Sequence, residues 1–338
     1  MLTTHSVVNF AVSLLPVLLF LYVFFSLDSY KLIHPRSIII AIAAGCGVAL
    51  LAFAVNVGVV RVFVLEGRFF PLYVAPFIEE FCKASYLYVL LRKAKIGFLV
   101  DAAIYGFAIG AGFSLVENIY YLGALETENI LVWIVRGLGT AIMHGGVTAI
   151  FAVVTKYFSD LHESVTLQSV IPGFLLAVAI HSVFNHAFFP PVIMTFVVLL
   201  FFPLVFYFIF QRSQHATKRW LREGMDSDIE MLEVILSGNI GGSHIGTYLQ
   251  SIQTRFRGEV IGDMLCLLRL NMEFSLHAKG VLMMREAGLT VPPDPEAIEK
   301  LKEIEYLRKA IGATGMMALR PLLPQTTRDV WQVGLVKS

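Results

Sequence analysis

Long runs of apolar residues, separated by short polar segments, fill the first two thirds of the chain. An α-helix needs about 20 such residues to cross a bilayer. The pattern predicts about seven spans, at residues 6–27, 37–60, 70–91, 98–122, 130–155, 170–188 and 190–210. Only FFPP at 188–191 separates the last two runs, which predicts either a tight helical hairpin or one broken re-entrant unit. We therefore expect an all-α, polytopic membrane helical bundle.

The pattern changes after Gln211. Residues 213–338 contain 15 basic and 15 acidic residues, and stretches such as 228–236 and 260–284 alternate apolar and polar positions as amphipathic helices do. Glycine and proline clusters at 238–246 and 291–295 predict loops. The sequence thus predicts a membrane domain at 1–212 and a small helical domain at 213–338, which we interpret as regulatory or partner-binding.

Composition agrees with a membrane location. Hydrophobic residues make up 57% and charged residues 15% of the 338 residues, and the mean hydropathy is +0.73. Soluble domains have about 25% charged residues. The formal net charge of +1 gives no indication of a nucleic-acid partner. The first run has no basic flank or small-residue cleavage site, so we interpret it as a retained span.

The distribution of basic residues predicts the orientation, because cytoplasmic segments are enriched in Lys and Arg. With seven spans, one side of the membrane receives Lys31, Arg36, Arg92, Lys93, Lys95, Lys156, Arg212, Lys218, Arg219 and Arg222. The other side receives Arg61, Arg68 and the acidic segment 126–129. We expect a multi-pass protein of the cell membrane with its N-terminus outside and its C-terminus in the cytoplasm.

Ionisable residues inside the spans are the strongest indication of function. Each charge at the bilayer centre costs about 2.5–3.5 kcal/mol on insertion scales. The spans contain Glu79, Glu80, Lys83, Glu117, Arg136, His144, His181 and His186. Such residues avoid lipid by facing one another in the bundle interior. We therefore expect one shared, buried polar site.

Residue spacing supports a shared site. Glu79 and Glu80 lie four and three residues before Lys83, so either carboxylate can pair with the amine on a helix. Four consecutive predicted helices contribute hydrogen-bonding groups: Glu79, Glu80 and Lys83; Glu117 and Asn118; His144; and His181 and Asn185. Gly106 and Gly110 precede Glu117, and small residues let membrane helices approach closely.

Other polar residues have simpler interpretations. We expect Arg136, near a span end, to extend towards the outer interface, and His186 to lie at a helix end near water. Asp101 is predicted to cap the fourth span, with Lys95 as a candidate partner. Three cysteines in separate segments predict neither a disulfide nor a cysteine-based metal site, and Cys266, in an apolar stretch, is expected to be structural.

Four ordered motifs resemble those of the PrsW family of intramembrane proteases. EEFCK at 79–83 resembles E-E-x-x-K, and DAAIYGFAIGAGFSLVENIYYL at 101–122 resembles D-G-x-x-Y-G…G-F-x-x-x-E-N-I-x-Y-L. MHGG at 143–146 and HSVFN at 181–185 resemble the two histidine motifs. The resemblance covers about residues 70–190 and differs where Ala102 replaces a usual glycine.

The resemblance implies a transmembrane protease domain at 1–212 that hydrolyses a peptide bond in a membrane-anchored protein. The best-known members make the first cut in an anti-sigma factor, and paired glutamates are essential. Carried over to this sequence, the implied catalytic residues are Glu79, Glu80, Glu117, His144 and His181. The wider group includes the CAAX prenyl endopeptidases and ABI proteins, but Glu117 stands where the CAAX enzymes have a histidine.

Peptide hydrolysis needs a base, an oxyanion donor and an acid. A carboxyl group beside a second carboxylate in low dielectric holds its proton more readily, so Glu79 or Glu80 suits the base, and adjacency leaves the choice between them open. We assign oxyanion stabilisation to His181 and Asn185, and supporting contacts to Lys83 and Asn118. Zn²⁺ or another divalent metal would have as candidate ligands Glu80, Glu117, His144 and His181.

Two other classes of function remain open from the residues alone. A transporter or proton relay also uses buried Glu and His residues, and a non-catalytic sensor or scaffold could use them for packing. Internal inverted repeats would favour transport, and the sequence shows none. A cavity open to lipid that brings the Glu and His residues together would favour hydrolysis.

Overall fold

The structure is a computed structural model. It describes residues 4–28, 30, 33–63, 67–125, 127, 129–238, 240–289, 291–292 and 294–323. Regular secondary structure in these ranges is helical throughout, so the predicted all-α fold is confirmed. The described residues form two compact units, one within Met1–Asp28 and Leu32–Ser213 and the other within Ser29–Lys31 and Gln214–Ser338.

The first unit is a bundle of long helices. Its elements are α1 (Thr4–Ser26), α2 (Pro35–Phe63), a π-helical turn (Phe70–Val74), α3 (Ala75–Arg92), α4 (Leu99–Ala124), α5 (Ile130–Ile134), a second π-helical segment (Val135–Thr140), α6 (Ala141–Leu161), α7 (Leu167–Asn185) and the first part of α8 (Pro191–Leu236), up to Ser213. The two π segments continue directly into α3 and α6, so each pair forms one continuous helical stretch.

Six helical stretches among the described residues are long and apolar enough to cross a membrane. They are Val7–Ser26, Pro35–Phe63, Leu99–Ala124, Ile130–Leu161, Leu167–Asn185 and Pro191–Leu236. The remaining predicted span, 70–91, is helical as expected but contains three charged residues, Glu79, Glu80 and Lys83. The chain is therefore a multi-pass membrane protein.

Residues 186–190 separate α7 from α8, so the FFPP segment at 188–191, for which we predicted either a tight hairpin or one broken re-entrant unit, divides two helices. Helix α8 packs on α1, where the rings of Phe206 and Phe24 lie 4.6 Å apart. Proline at the first position of α8 favours a new helix start, because its missing N–H is not needed there.

Helix α4 is the centre of the bundle because small residues allow its neighbours to approach. A Cβ atom at Gly110 would meet the backbone of His144 on α6, and one at Gly112 would meet the backbone of Ile42 on α2. These contacts position Glu117, two turns further along α4, beside α6. At the start of α4, the Asp101 carboxylate accepts the backbone N–H groups of Gly97 and Phe98, both at 3.0 Å, and so forms the predicted cap.

The second unit contains the end of α8, α9 (His244–Ile252), α10 (Gly258–Glu286) and α11 (Pro295–Leu319), with 3₁₀ turns at Ile240–Gly242 and Gln253–Arg255. The amine of Lys279 on α10 pairs with the Asp228 carboxylate on α8 at 2.6 Å. Cys266 is exposed on α10; the prediction of a structural cysteine is not supported, because the side chain lies on the polar face of its helix.

Candidate active site

The adjacent glutamates of α3 face different surroundings. Glu79 lines a cavity of about 1100 Å³, whereas Glu80 does not. Glu80 is only 2% exposed, and its Oε1 lies 2.8 Å from both Lys83 Nζ and His181 Nδ1. Neighbours on a helix point about 100° apart, and the packing of α3 turns Glu79 towards the cavity and Glu80 towards the protein.

Lys83 connects α3 to α6. Its side chain is fully buried, with Nζ 2.8 Å from Glu80 Oε1, 2.9 Å from His144 Nδ1 and 4.1 Å above the centre of the Phe113 ring. A buried ammonium group is stable only when it is paired and hydrogen-bonded. Lys83 therefore orders the two side chains it contacts.

Glu117 lies between α6 and the second π segment. Its Oε2 is 2.8 Å from His144 Nε2, and its Oε1 is 3.2 Å from Arg136 Nη2. Glu117 thus connects the imidazole ring to a guanidinium group. Together with Glu79, Glu80, Lys83 and His181, these residues form what we call the cavity cluster.

Arg136 does not extend to the outer interface, contrary to the sequence-based expectation. Its side chain is 14% exposed and lines the cavity. Nε donates to Asn118 Oδ1 at 3.0 Å, and the guanidinium lies 3.8 Å from the centre of the Tyr121 ring. A carboxylate, an amide and an aromatic face on the neighbouring α4 stabilise the cation better than an apolar interface. The sequence did contain an indication of this position, because Glu117 and Arg136 are opposite charges in adjacent predicted spans.

Asn185 and its neighbours hold the π turn before α3. The Asn185 amide donates to the Pro71 carbonyl at 2.9 Å, and the Ser182 hydroxyl donates to the Leu72 carbonyl at 2.6 Å. His186 is at the end of α7, as predicted, and its Nε2 lies 3.0 Å from the Tyr73 hydroxyl. These contacts fix the start of the helical stretch that carries Glu79.

Asn56 of α2 is a cavity residue that sequence analysis missed. Its Nδ2 donates to Glu79 Oε1 at 3.4 Å, and its side chain lines the cavity. An asparagine within an otherwise apolar span was the available signal. The apolar part of the cavity wall comes mainly from α2, α4 and the end of α7, including Phe53, Val57, Val60, Tyr120 and Phe184.

The partners of the two histidines assign their tautomers. A carboxylate oxygen accepts, so His181 Nδ1 donates to Glu80 and its Nε2 retains a lone pair, 3.9 Å from Glu79 Oε2. An ammonium group donates, so His144 Nδ1 accepts from Lys83, and the ring proton lies on Nε2, towards Glu117. His181 thus presents an acceptor beside Glu79, while both nitrogens of His144 are engaged.

Comparison with protein families agrees with these motifs. The model of the family described as PrsW family intramembrane metalloprotease matches residues 34–208, just over half of the chain. The chain belongs to the PrsW family. The match extends the resemblance at 70–190 on both sides and confirms the predicted intramembrane protease. Comparisons with curated proteins and with solved structures found no match.

The description of the PrsW family as metalloproteases makes the ligand chemistry of this cluster important. A carboxylate oxygen of Glu79 and one ring nitrogen each of His144 and His181 lie within 4.8 Å of one another. Carboxylate and imidazole groups are common Zn²⁺ ligands. The Glu80–His181 contact matches the carboxylate–histidine pairs that orient metal ligands. The donor set fits a divalent cation if one ring nitrogen of His144 gives up its contact with Lys83 or with Glu117 and binds the cation.

This candidate ligand set differs from the predicted one, Glu80, Glu117, His144 and His181. Glu79 replaces Glu80, because Glu80 faces Lys83 and His181. Glu117 is paired with Arg136 and His144. When its three glutamates, Lys83 and Arg136 are ionised and its two histidines are neutral, the cavity cluster of this PrsW family chain has three negative and two positive charges. An additional cation or proton would therefore neutralise it.

Proposed function

We propose that the chain is an intramembrane endopeptidase in which Glu79 activates the attacking water. The observation that supports this role most directly is that Glu79 lines the cavity, while Glu80 is paired away from it. Glu79 Oε2 lies 3.9 Å from the acceptor nitrogen of His181. One water molecule at hydrogen-bond distance from both atoms could donate a proton to each of them, which leaves an oxygen lone pair for attack.

The reaction follows from this arrangement. The water oxygen attacks the carbonyl carbon of the scissile bond, Glu79 accepts the released proton, and the carbonyl electron pair moves onto oxygen. When the tetrahedral intermediate collapses, the C–N bond breaks and the proton on Glu79 passes to the leaving amine. One carboxylate thus serves as base and then as acid.

The other members of the cavity cluster position these groups. Glu80 orients the His181 ring through Nδ1, and Lys83 neutralises Glu80 while ordering His144. Glu117, supported by His144 and Arg136, keeps α4 and α6 in register at the cavity. Asn185 acts through the π turn, because its amide donates to Pro71.

A divalent metal such as Zn²⁺ would be held by Glu79 and His181, with His144 as a third ligand. When bound, it would polarise the scissile carbonyl and make a bound water more acidic. Glu80 would then fix the orientation of His181, as carboxylates that contact metal-bound histidines do.

We further propose that the substrate is a membrane-anchored protein of the anti-sigma-factor type, and that this enzyme makes the first cut in it. Basic residues favour a cytoplasmic C-terminus. The cavity is lined by Arg61, Arg68 and the end of α7. In that orientation, these residues lie on the outer side of the membrane. The cut would therefore lie near the outer leaflet. Mass spectrometry that places the product termini on the cytoplasmic side would contradict this orientation.

The test uses purified full-length protein in detergent with a single-span reporter peptide. We expect cleavage by the wild type and none by Glu79→Gln at equal folded concentration. Treatment with a chelator, followed by metal analysis of the protein and re-addition of Zn²⁺, separates a metal-dependent from a metal-independent enzyme. Cleavage retained in Glu79→Gln would contradict the proposed base.

We propose a regulatory or partner-binding function for the C-terminal domain, residues 213–338. Its charges are balanced, and the residues assigned to catalysis lie in the first unit. A chain ending after residue 236, where α8 ends, should retain Glu79-dependent cleavage of a generic reporter. Loss of all cleavage in a truncated protein that remains helical would contradict this division.

A further inference from the structure

Hydrolysis at the cavity needs a donor for the oxyanion, and the two donors expected from the sequence are engaged elsewhere. The Asn185 amide donates to the Pro71 carbonyl. The His181 N–H group donates to Glu80, which leaves a lone pair towards the cavity. The amide of Asn56 contacts Glu79. A different group is therefore needed to stabilise the negative charge that develops on the carbonyl oxygen.

Arg136 has the properties that such a donor requires. It lines the same cavity as Glu79 and His181, and its side chain is 14% exposed. Its position is fixed from three sides, by Asn118 at Nε, by Glu117 at Nη2 and by the ring of Tyr121. Preorganised donors are effective because little reorganisation is needed when charge develops.

The guanidinium group also has donors to spare. Five N–H groups are available, and Nε uses one on Asn118. Nη2 is buried against Glu117 at 3.2 Å, whereas no hydrogen bond joins Nη1 to any residue that the structure describes, so its N–H groups are available to a ligand in the cavity. Arg61 and Arg68 line the cavity too, but both are exposed. Of these three cavity arginines, Arg136 is therefore the one that is largely buried and held in a fixed orientation.

We propose that Arg136 is a further catalytic residue, which donates hydrogen bonds to the oxyanion of the tetrahedral intermediate. This inference rests on the proposed function of Glu79. As water adds to the carbonyl carbon and Glu79 takes its proton, the carbonyl electron pair moves onto the oxygen beside the guanidinium. Collapse returns this pair to the C=O bond, expels the amine and transfers the proton from Glu79 to nitrogen, while Arg136 remains protonated throughout.

The experiment measures cleavage of a single-span reporter and binding of a phosphinate peptide that imitates the tetrahedral intermediate. We expect Arg136→Gln to lower kcat by about 100-fold, the effect of removing one oxyanion donor. KM should change little, and the affinity for the phosphinate should fall in parallel with kcat. Arg36→Gln, which removes an exposed arginine outside the cavity, is the matched control and should change neither quantity comparably.

A double-mutant cycle with Glu117→Gln separates catalysis from positioning. If Arg136 acts on the oxyanion, the double variant should be slower than Glu117→Gln alone by nearly the full effect of Arg136→Gln. If it acts only by holding Glu117, the double variant will match Glu117→Gln, and the proposal is overturned. Unchanged phosphinate affinity in a folded Arg136→Gln protein would also overturn it.

Arg136→Lys provides a second variant that retains the positive charge beside Glu117. Lysine lacks the planar fork of arginine, so we expect it to fold and still lose at least about ten-fold in phosphinate affinity. Wild-type affinity in this variant would contradict a directed guanidinium contact. Failure of the proposed function is distinguishable, because it would appear as wild-type cleavage by Glu79→Gln.

Discussion

The two ends of α4 and α6 both contain ionisable side chains, but they differ in surroundings. At one end, Asp101 and Lys156 are each 1% exposed; Asp101 caps α4, and Lys156 pairs with Asp160 one turn away at 2.7 Å. At the other end, Glu117 and His144 belong to the cavity cluster and line a cavity of about 1100 Å³. Asp101, Lys156 and Asp160 do not line this cavity.

The comparison shows that burial of charge alone does not identify a functional site. Asp101 accepts the N–H groups at the start of α4, and Lys156 pairs with Asp160 one turn away on α6, both away from the cavity. The cavity cluster instead joins α3, α4, α6, α7 and the π segment 135–140. Groups brought together from several elements beside a cavity can contact a substrate. Four substitutions test this distinction.

The largest effect is expected for Glu79→Gln. Removing a general base costs about 100-fold to 10⁴-fold in rate, so we expect kcat to fall by at least about 100-fold. Because Glu79 is 18% exposed and its nearest hydrogen-bond partner, Asn56, is at 3.4 Å, stability should be nearly unchanged. Reporter cleavage and unfolding in mixed micelles measure the two quantities. A large loss of stability in Glu79→Gln would contradict the proposed difference between Glu79, which faces the cavity, and Glu80, which is paired inside the protein.

Glu80→Gln should lower stability as well as activity. The substitution leaves the Lys83 ammonium buried without a carboxylate, and breaking a buried ion pair costs about 3–5 kcal/mol. The His181 ring also loses its orienting acceptor. We expect a lower unfolding free energy than for Glu79→Gln under the same conditions. Equal stability of the two variants would show that the pair contributes little.

Gly110→Ala tests the close packing that joins the two sides of the cavity cluster. An added Cβ would meet the His144 carbonyl and Gly145, and overpacking costs about 1–3 kcal/mol. Displacement of α6 from α4 should also weaken the Glu117–His144 contact and reduce cleavage. Gly123→Ala, on the same helix with no atoms near its Cβ, is the matched control. Equal effects at both positions would argue against this explanation.

Lys156→Met should have the smallest effect on catalysis and leave it intact. The substitution removes a buried amine that pairs with Asp160 and also faces the Asp101 carboxylate, so we expect the unfolding free energy to fall by about 3–5 kcal/mol. Cleavage per folded molecule should equal that of the wild type. Reporter cleavage normalised to the folded fraction measures this. A catalytic defect at constant stability would extend the functional region to this end of the bundle.

Much of the fold follows from local sequence patterns. Apolar runs such as 37–60 and 98–122 correspond to α2 and α4, because helix formation in a membrane requires only residues within the segment. The FFPP segment was harder to interpret. It stops one helix and starts another, but the packing of α8 on α1 through Phe206 and Phe24 depends on contacts distant in sequence.

The sequence by itself determined which residues must be considered and which family they belong to. Ionisable side chains within spans are rare, and the motifs containing Glu79, Glu80, Glu117, His144 and His181 occur in family order. Only the tertiary structure decided their partners. It turned Glu79 towards the cavity, paired Glu80 with Lys83, and brought Arg136 to Glu117. The physical reason is that side-chain direction depends on how each helix is rotated against its neighbours, and close contacts such as that at Gly110 fix that rotation.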